Sequence, residues 1–499
     1  MIRDIPSERL IIVNIRNRNH KKNICLFLAG ALTAISVFSA PLRVCAENID
    51  ETLALQQAKP IQTNEIPGWP TGPVVSANSA ILIDAETGAI LYAKDIHARE
   101  YPASTTKILT ALIAVENCRM DEIVTFSYNA VHDVTPGGSH IAIDVGEELT
   151  MEQCLGGVLI ASANEVSFAV AEHITGTSWQ DFASIMNTRA QELGCVDSHF
   201  VNPNGLHDDD HYTSAYDLAM IGRAFFANEL LCRFSSTNRL HIPPTDKQPD
   251  DIYAITSNEM LPGRNYPYQY LVGGKTGYTD PARSCLVSCA EKDGLRLICV
   301  VMHDYAPRQY QDTIALFDYG FANFQRINIS QEETKYNIDN SNFFYSNNDI
   351  FGSSKPIMSL NVQDCITLPK TASFSETISR ISYDQASEGQ VAVIQYTYNG
   401  QFIGSASVDL ATDMGVSYSF DEELVKQMPP PLTEEEEDKN VILINVVKVA
   451  LWILGVAGGF IILTVLFALI RSYQLSRRRR PENRRSWRRK RRRRRRRWK

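Results

Sequence analysis

A chain of 499 residues is too long for one typical domain, and two or three are expected. Its formal charge of −8 is unevenly divided: the stretch from Arg471 onward carries about +17, which leaves about −25 for everything before it. That division excludes a uniformly, mildly acidic soluble protein and describes an acidic body joined to a very basic tail.

In chain order, Lys21 and Lys22 precede an apolar run from Ile24 to Phe38, and Val44-Cys45-Ala46 offers a small-residue cleavage site before Glu47. Residues 1–46 therefore read as a secretory signal peptide, because the apolar run is too short to span a bilayer comfortably. Residues 47–75 read as a polar, proline-marked lead-in ending at Pro70-Thr71-Gly72-Pro73. A first folded domain is expected over 76–325. It opens with a hairpin: Ala80–Asp84 and Ala89–Tyr92 flank a turn containing Thr87-Gly88. The segment beginning at Ser104 is apolar on all sides through Val115, so it reads as a helix inside a core. Helical segments follow to about residue 235, and a second hairpin joins Ser284–Ala290 to Leu295–Met302 through Lys292-Asp293-Gly294. The fold class is α+β, an antiparallel sheet with helices.

From 326 to 420 polar residues alternate with Val and Ile, as in Val391–Tyr398, and a small β-rich domain is expected. Residues 421–440, with Met428-Pro429-Pro430-Pro431 and the acids from Glu434 to Asp438, read as an extended, self-repelling linker. Val449–Ile470 is an uncharged stretch of about 22 residues, ~33 Å as helix, and reads as a transmembrane helix. Residues 471–499 should then stay in the cytoplasm by the positive-inside rule, with the body outside. The basic tail acts as a stop-transfer signal or as a clamp on anionic lipid with Trp487 and Trp498 at the interface. No nucleic acid is expected as a partner, because no nucleic-acid-binding fold accompanies the charge.

Of ten cysteines, Cys25 and Cys45 leave with the signal. The rest include no C-x-x-C pair, which argues against zinc. Cys285 and Cys289 lie in a strand-like run where they would be ~13 Å apart, too far to bridge. Buried free thiols are expected.

Three short strings carry the chemistry: Ser104-Thr105-Thr106-Lys107, Ser162-Ala163-Asn164 and Lys275-Thr276-Gly277. Each alone is weak, but in this order, about 58 and about 113 residues apart, chance is a poor explanation. A serine hydroxyl needs a base before it can attack. Lys107, one turn beyond Ser104, can be that base if burial and a second lysine disfavour its charged form. Ser162 could relay a proton to the leaving amine, and Asn164 could hold the substrate backbone. Lys275 and Thr276 could grip a terminal carboxylate beside Gly277, since strand glycines permit close approach. The Tyr278 and Ser104 N–H groups could form an oxyanion hole. The set suits acyl transfer on a peptide ending in a carboxylate, with no metal and no cofactor.

Pro102–Lys107, Phe200–Leu206, His211–Asp217, Gly274–Thr279 and Ala282–Leu286 together resemble the low-molecular-mass penicillin-binding proteins, the D-alanyl-D-alanine carboxypeptidases. The resemblance spans roughly residues 70 to 305. It implies a β-lactamase/transpeptidase-like domain followed by a small β domain and a membrane anchor. It implies removal of the terminal D-Ala from peptidoglycan stem peptides through an acyl-enzyme on Ser104, inhibition by β-lactam antibiotics such as penicillins, and a place at a bacterial cell membrane. Glu165 stands where an aspartate is common and Asn204 where a histidine is frequent, departures that bear on rate more than on class. His207-Asp208-Asp209-Asp210-His211 is tempting as a metal site, but the resemblance places it in a loop near the cleft and no third-ligand pattern is evident. Two other readings are weaker. A β-lactamase needs an added carboxylate for deacylation, and no E-x-x-L-N string follows Asn164. A penicillin sensor would acylate and hardly turn over.

Overall fold

The computed structural model describes residues 49–134, 137–334, 358–383 and 390–410. The stretches read as a signal peptide (1–46), an acidic linker (421–440), a transmembrane helix (449–470) and a basic tail (471–499) lie outside the described residues. Among the described residues no helix is long and apolar enough to cross a membrane.

The first hairpin forms where expected, as β1 (Ser79–Asp84) and β2 (Ile90–Lys94). Two small antiparallel strand pairs follow, β3 (Ile123–Thr125) with β4 (Glu148–Thr150) and β5 (Arg239–Ile242) with β6 (Ile252–Ile255). The main sheet is completed by β7 (Leu271–Thr279), β8 (Arg283–Lys292) and β9 (Leu295–Asp304) in the order β2-β1-β9-β8-β7, every neighbour antiparallel. The β8–β9 turn is tighter than the three residues expected: Asp293 and Gly294 both have positive φ, 52° and 79°, the backbone a two-residue hairpin requires. Alternate residues of β9 feed two cores. Ile298, Val300 and Met302 join the helical layer, whereas Leu297, Cys299 and Val301 pack on the opposite side. Both faces of this sheet are therefore buried, which explains a strand with no polar face.

The helix α1 (Ile49–Gln57) lies in the stretch expected to be a plain polar lead-in. It buries Leu53 and Gln56, and further on Trp69 is buried with its Nε1 donating to Leu91 O at 2.9 Å. A few apolar anchors in a polar segment fix it, and a composition average hides them. The helical layer includes α2 (Lys107–Asn117), α3 (Met151–Leu159), α4 (Asn164–Thr175) and α5 (Ala215–Phe226). Helix α2 is buried from Lys107 through Ala114, as its uniform hydrophobicity demands. Helix α3 starts at a capping box in which the Thr150 and Gln153 side chains bond each other's backbone N–H. Helix α6 (Arg308–Asn323) covers the other face, burying Leu316 and Phe317.

A second sheet begins at once after α6, with β10 (Phe324–Asn328), slightly ahead of the boundary read from composition. It contains β11 (Met358–Leu360), β12 (Cys365–Pro369), β13 (Ile378–Ser382), β14 (Gln390–Tyr398) and β15 (Gln401–Leu410), in the order β10-β12-β15-β14-β13 with β11 on β15. The two sheets form one compact unit. Thr367 Oγ1 donates to the buried Asp84 carboxylate at 2.6 Å, and the Trp69 and Phe324 rings lie 5.3 Å apart. The eight cysteines of the described residues are free; Cys154, Cys195, Cys285, Cys289 and Cys299 are buried, while Cys118, Cys232 and Cys365 are only partly so.

Candidate active site

Ser104, the candidate nucleophile, sits slightly ahead of the helix rather than in it. Ala103–Thr106 form a 3-10 turn that runs directly into α2 at Lys107. The turn is held tightly. Thr105 Oγ1 donates to Pro102 O at 2.6 Å and Thr106 Oγ1 to Ala103 O at 2.9 Å. Ala103 itself has φ 47°, a left-handed conformation that a residue with a Cβ adopts only under constraint.

His211 supplies part of that constraint. The Val201 N–H donates to its Nδ1 at 3.1 Å, which makes Nε2 the protonated nitrogen, and Nε2 lies 2.9 Å from Thr106 Oγ1. Burial lowers the His211 pKa to about 3, so the ring is neutral. With both nitrogens engaged inside the protein, His211 is not a partner to His207 in a metal site.

Lys107 is wholly buried. Its Nζ lies 3.0 Å from Ser104 Oγ, 2.8 Å from Asn164 Oδ1 and 2.7 Å from Asn204 O. Burial holds its pKa well below the ordinary lysine range, Lys275 adds to the effect, and Glu165 opposes it. A neutral amine has two N–H donors and one lone pair. The two oxygens of Asn164 and Asn204 can only accept, so they take both N–H groups and leave the lone pair facing the Ser104 hydroxyl.

Helix α3 ends just before Ser162, which has φ 58°, and α4 starts at Asn164. This bend puts both side chains into the site. Lys275 Nζ, from β7, donates to Ser162 Oγ at 3.0 Å and to Thr276 O at 2.8 Å. Burial lowers the Lys275 pKa to about 7. Lys275 was expected to grip a carboxylate directly; here its amine is directed at Ser162. The open hydroxyls are those of Thr276, half-buried, and Ser257, exposed, 2.5 Å apart.

Gly277 brings β7 against the nucleophile turn. A Cβ on it would lie 2.8 Å from Pro102 O and 3.0 Å from Ser104 N. Gly273 and Gly274 are similarly crowded by Ser235, Ser288 and Asn258. The close approach these glycines permit is thus of protein to protein, where approach of a ligand was expected. The Tyr278 ring, next in the strand, is exposed.

Four contributors had no sequence signal that assigned them: Asn204 through a carbonyl, His211 through Thr106, Ser257 through its hydroxyl, and Glu165. The Glu165 carboxylate is buried, accepts from Ile141 N at 2.5 Å, and has its pKa raised by burial. Together with Asn164 N donating to Ser139 O at 2.9 Å, it ties the 139–141 segment to the start of α4.

A serine facing a desolvated lysine, at the end of an antiparallel sheet flanked by helices, is the arrangement of a penicillin-binding serine hydrolase. A family model described as D-alanyl-D-alanine carboxypeptidase, peptidase family S11, matches residues 68–306. The D-alanyl-D-alanine carboxypeptidase DacB2 of Mycobacterium tuberculosis is 30% identical over 260 residues, covering 51% of this chain and 84% of that protein. DacF of Bacillus subtilis is 35% identical over 256 residues, covering 50% of this chain and 63% of that protein's length. Penicillin binding protein 5 of Haemophilus influenzae superposes with a TM-score of 0.54 at 26% identity, covering 68% of this chain and 98% of that structure. The chain belongs to the D-alanyl-D-alanine carboxypeptidase family.

Proposed function

We propose that this chain is a serine-type D-alanyl-D-alanine carboxypeptidase. It removes the terminal D-Ala from peptidoglycan stem peptides, is inhibited by β-lactams, and works on the outer face of a bacterial cell membrane. The observation that carries the reading is the Lys107 amine, whose two N–H groups are claimed by Asn164 Oδ1 and Asn204 O beside Ser104 Oγ.

In this mechanism Lys107 Nζ takes the Ser104 proton as Oγ attacks the penultimate carbonyl. The Ser104 and Tyr278 N–H groups receive the oxyanion. Ser162 gives a proton to the departing D-Ala nitrogen and is reprotonated from Lys275. Asn164 holds the peptide backbone, while Thr276 and Ser257 receive the terminal carboxylate. Lys107 then gives up its proton to solvent and Lys275 takes one up, after which water attacks the acyl-enzyme with the neutral Lys107 again the base, and the Lys107 proton returns to Ser104 Oγ as the ester breaks. The signal at 1–46, the uncharged stretch at 449–470 and the basic tail support a single-pass anchor with the body outside and the tail on the cytoplasmic side. Protease protection of the tail in intact cells tests that orientation.

Two measurements bear on the individual roles. Thr276→Val should raise KM for a peptide ending in D-Ala-D-Ala by about tenfold, the loss of about 1.4 kcal/mol, with a smaller change in kcat. A kcat-only effect would remove Thr276 from carboxylate binding. The second concerns stability. The folded Lys275 pKa of about 7 lies below its ordinary 10.5. Between the two values the unfolded chain holds a proton that the folded chain lacks, so this group makes stability rise with pH by about 1.4 kcal/mol per unit. Below the folded value both states are protonated and the slope vanishes. Denaturant titrations should therefore show a steeper alkaline rise for the wild type than for Lys275→Met, and equal slopes would sink the claim.

The test of the function itself is D-Ala release from a peptide ending Lys-D-Ala-D-Ala by the purified full chain, beside Ser104→Ala. Release that requires Ser104 supports the reading. A stable penicillin adduct without release would overturn it in favour of a sensor or a transpeptidase needing an acceptor.

A further inference from the structure

Helices α2 and α4 bring Lys107 and Asn164 to the active site at their first residues. Their far ends converge as well. Cys118 caps the C-terminus of α2, His173 lies in the last turn of α4, and Glu122 sits just before β3. One ligand atom from each of Cys118, Glu122 and His173 lies within 4.8 Å of the other two.

We propose that Cys118 Sγ, the Glu122 carboxylate and the His173 imidazole form a divalent-metal site of the zinc class, about 17 Å of helix from Lys107 and separate from the nucleophile centre. A thiolate, an imidazole and a carboxylate together suit a borderline-soft ion, and ions bound only by oxygen, such as calcium or magnesium, do not take thiolate. Part of the geometry is already set. His173 Nε2 is 2.9 Å from Glu122 Oε2, and the other carboxylate oxygen accepts from Arg119 N at 2.8 Å, which fixes its orientation. The competing Arg119 guanidinium is drawn off by Asp121. The His173 and Glu122 side chains keep 24% and 35% of their surface exposed, so an ion can enter and a water can fill a fourth position.

Binding displaces the thiol proton of Cys118 to solvent, and a neutral His173 that ligates through Nε2 carries its one N–H on Nδ1, with no change of oxidation state. The thiol must lose its proton before the sulfur can ligate, so binding should strengthen as pH rises. Bound there, the ion ties together the far ends of the two helices that carry Lys107 and Asn164. Its effect is on rigidity and melting temperature, and it touches no reacting atom.

The test uses the full chain in detergent, reduced, stripped with a chelator and titrated with Co2+. The expected result is a thiolate-to-cobalt absorption band that saturates at one Co2+ per chain, is displaced by Zn2+, and is lost in Cys118→Ser. Zn2+ should raise the melting temperature of the wild type and leave that of Cys118→Ser unchanged. Glu122→Gln should weaken Co2+ by about tenfold or more, and it serves in place of Cys118→Ser should that variant fail to label with penicillin. Absence of the band at saturating Co2+, or a band that survives in both variants, overturns the site and leaves the function proposed above untouched.

Discussion

Replacing Lys107 with alanine should slow acylation of Ser104 by about 10²–10⁴-fold while leaving substrate affinity nearly unchanged. The amine contacts Ser104 Oγ, Asn164 Oδ1 and Asn204 O from a fully buried position. Truncation removes the lone pair proposed to accept the serine proton and leaves two buried oxygens without their donor, which also destabilises the fold. A rate loss alone would not separate these effects, so the comparison with Lys107→Arg matters. Arginine retains donors for both oxygens but cannot be deprotonated in this range. If Lys107 is the base, Lys107→Arg loses the rate as Lys107→Ala does, whereas a purely structural lysine would be partly rescued. The pH profile carries the same information. Because burial and Lys275 lower the Lys107 pKa, penicillin acylation in the wild type should rise with pH through a value well below that of an ordinary lysine. A flat profile across that range would falsify the assignment of the base.

Gly205→Ala should be almost as damaging, although Gly205 touches no substrate. Its φ is +80°, and a Cβ there would stand 1.8 Å from Ala103 O and 2.8 Å from Thr106 Oγ1. The first contact is with backbone, in the turn that presents Ser104, so no side-chain rotation relieves it. The loop must retreat, and Asn204 O, which binds Lys107 Nζ, retreats with it. A displacement of order 1 Å at a catalytic group costs about 10²-fold in rate. Stability should fall by more than about 3 kcal/mol. Gly263 is the control: its φ is +81° and a Cβ there meets nothing within 4 Å. Gly263→Ala should therefore cost only the conformational part, about 1 kcal/mol, with normal acylation. Denaturant midpoints and penicillin acylation rates of the two variants check both numbers. Equal losses would show that backbone strain alone, and not the contact with Ala103, governs position 205.

The legible parts of the site are those in which side-chain identity and short spacing carry the meaning. Ser104 and Lys107 are one turn apart, and Ser162 and Asn164 bracket a bend, so both pairs could be placed from local geometry. The order of the strings then led to β7, where Lys275 and Thr276 lie. What stayed hidden depends on contacts between distant segments. The Asn204 carbonyl is backbone, for which no residue type gives a signal. His211 lies 105 residues from the Thr106 hydroxyl that it supports. The direction of the Lys275 amine, toward Ser162 instead of outward to a carboxylate, follows from its burial where the edge strand β7 meets the bend at Ser162. At the level of the sheet, both hairpins were readable from turn residues. The pairing of β1 with β9, which sets Ser79 opposite Met302, joins segments more than two hundred residues apart and has no local signature.

The free thiols have a consequence for how this protein comes to exist. Once folded, Cys154, Cys195, Cys289 and Cys299 are held far above their ordinary pKa by burial, and Cys285 is pushed up to about 12, so they are poor partners for disulfide exchange. A chain emerging unfolded on the proposed outer side has no such protection, and its thiols meet an oxidising milieu with ordinary reactivity. Cys289 and Cys299 sit in the paired central strands β8 and β9, where a wrong bridge would block the sheet from closing. On the proposed export route, biogenesis is a race between burial and oxidation. The yield of active protein depends on how quickly those strands close, more than on how stable they are once closed.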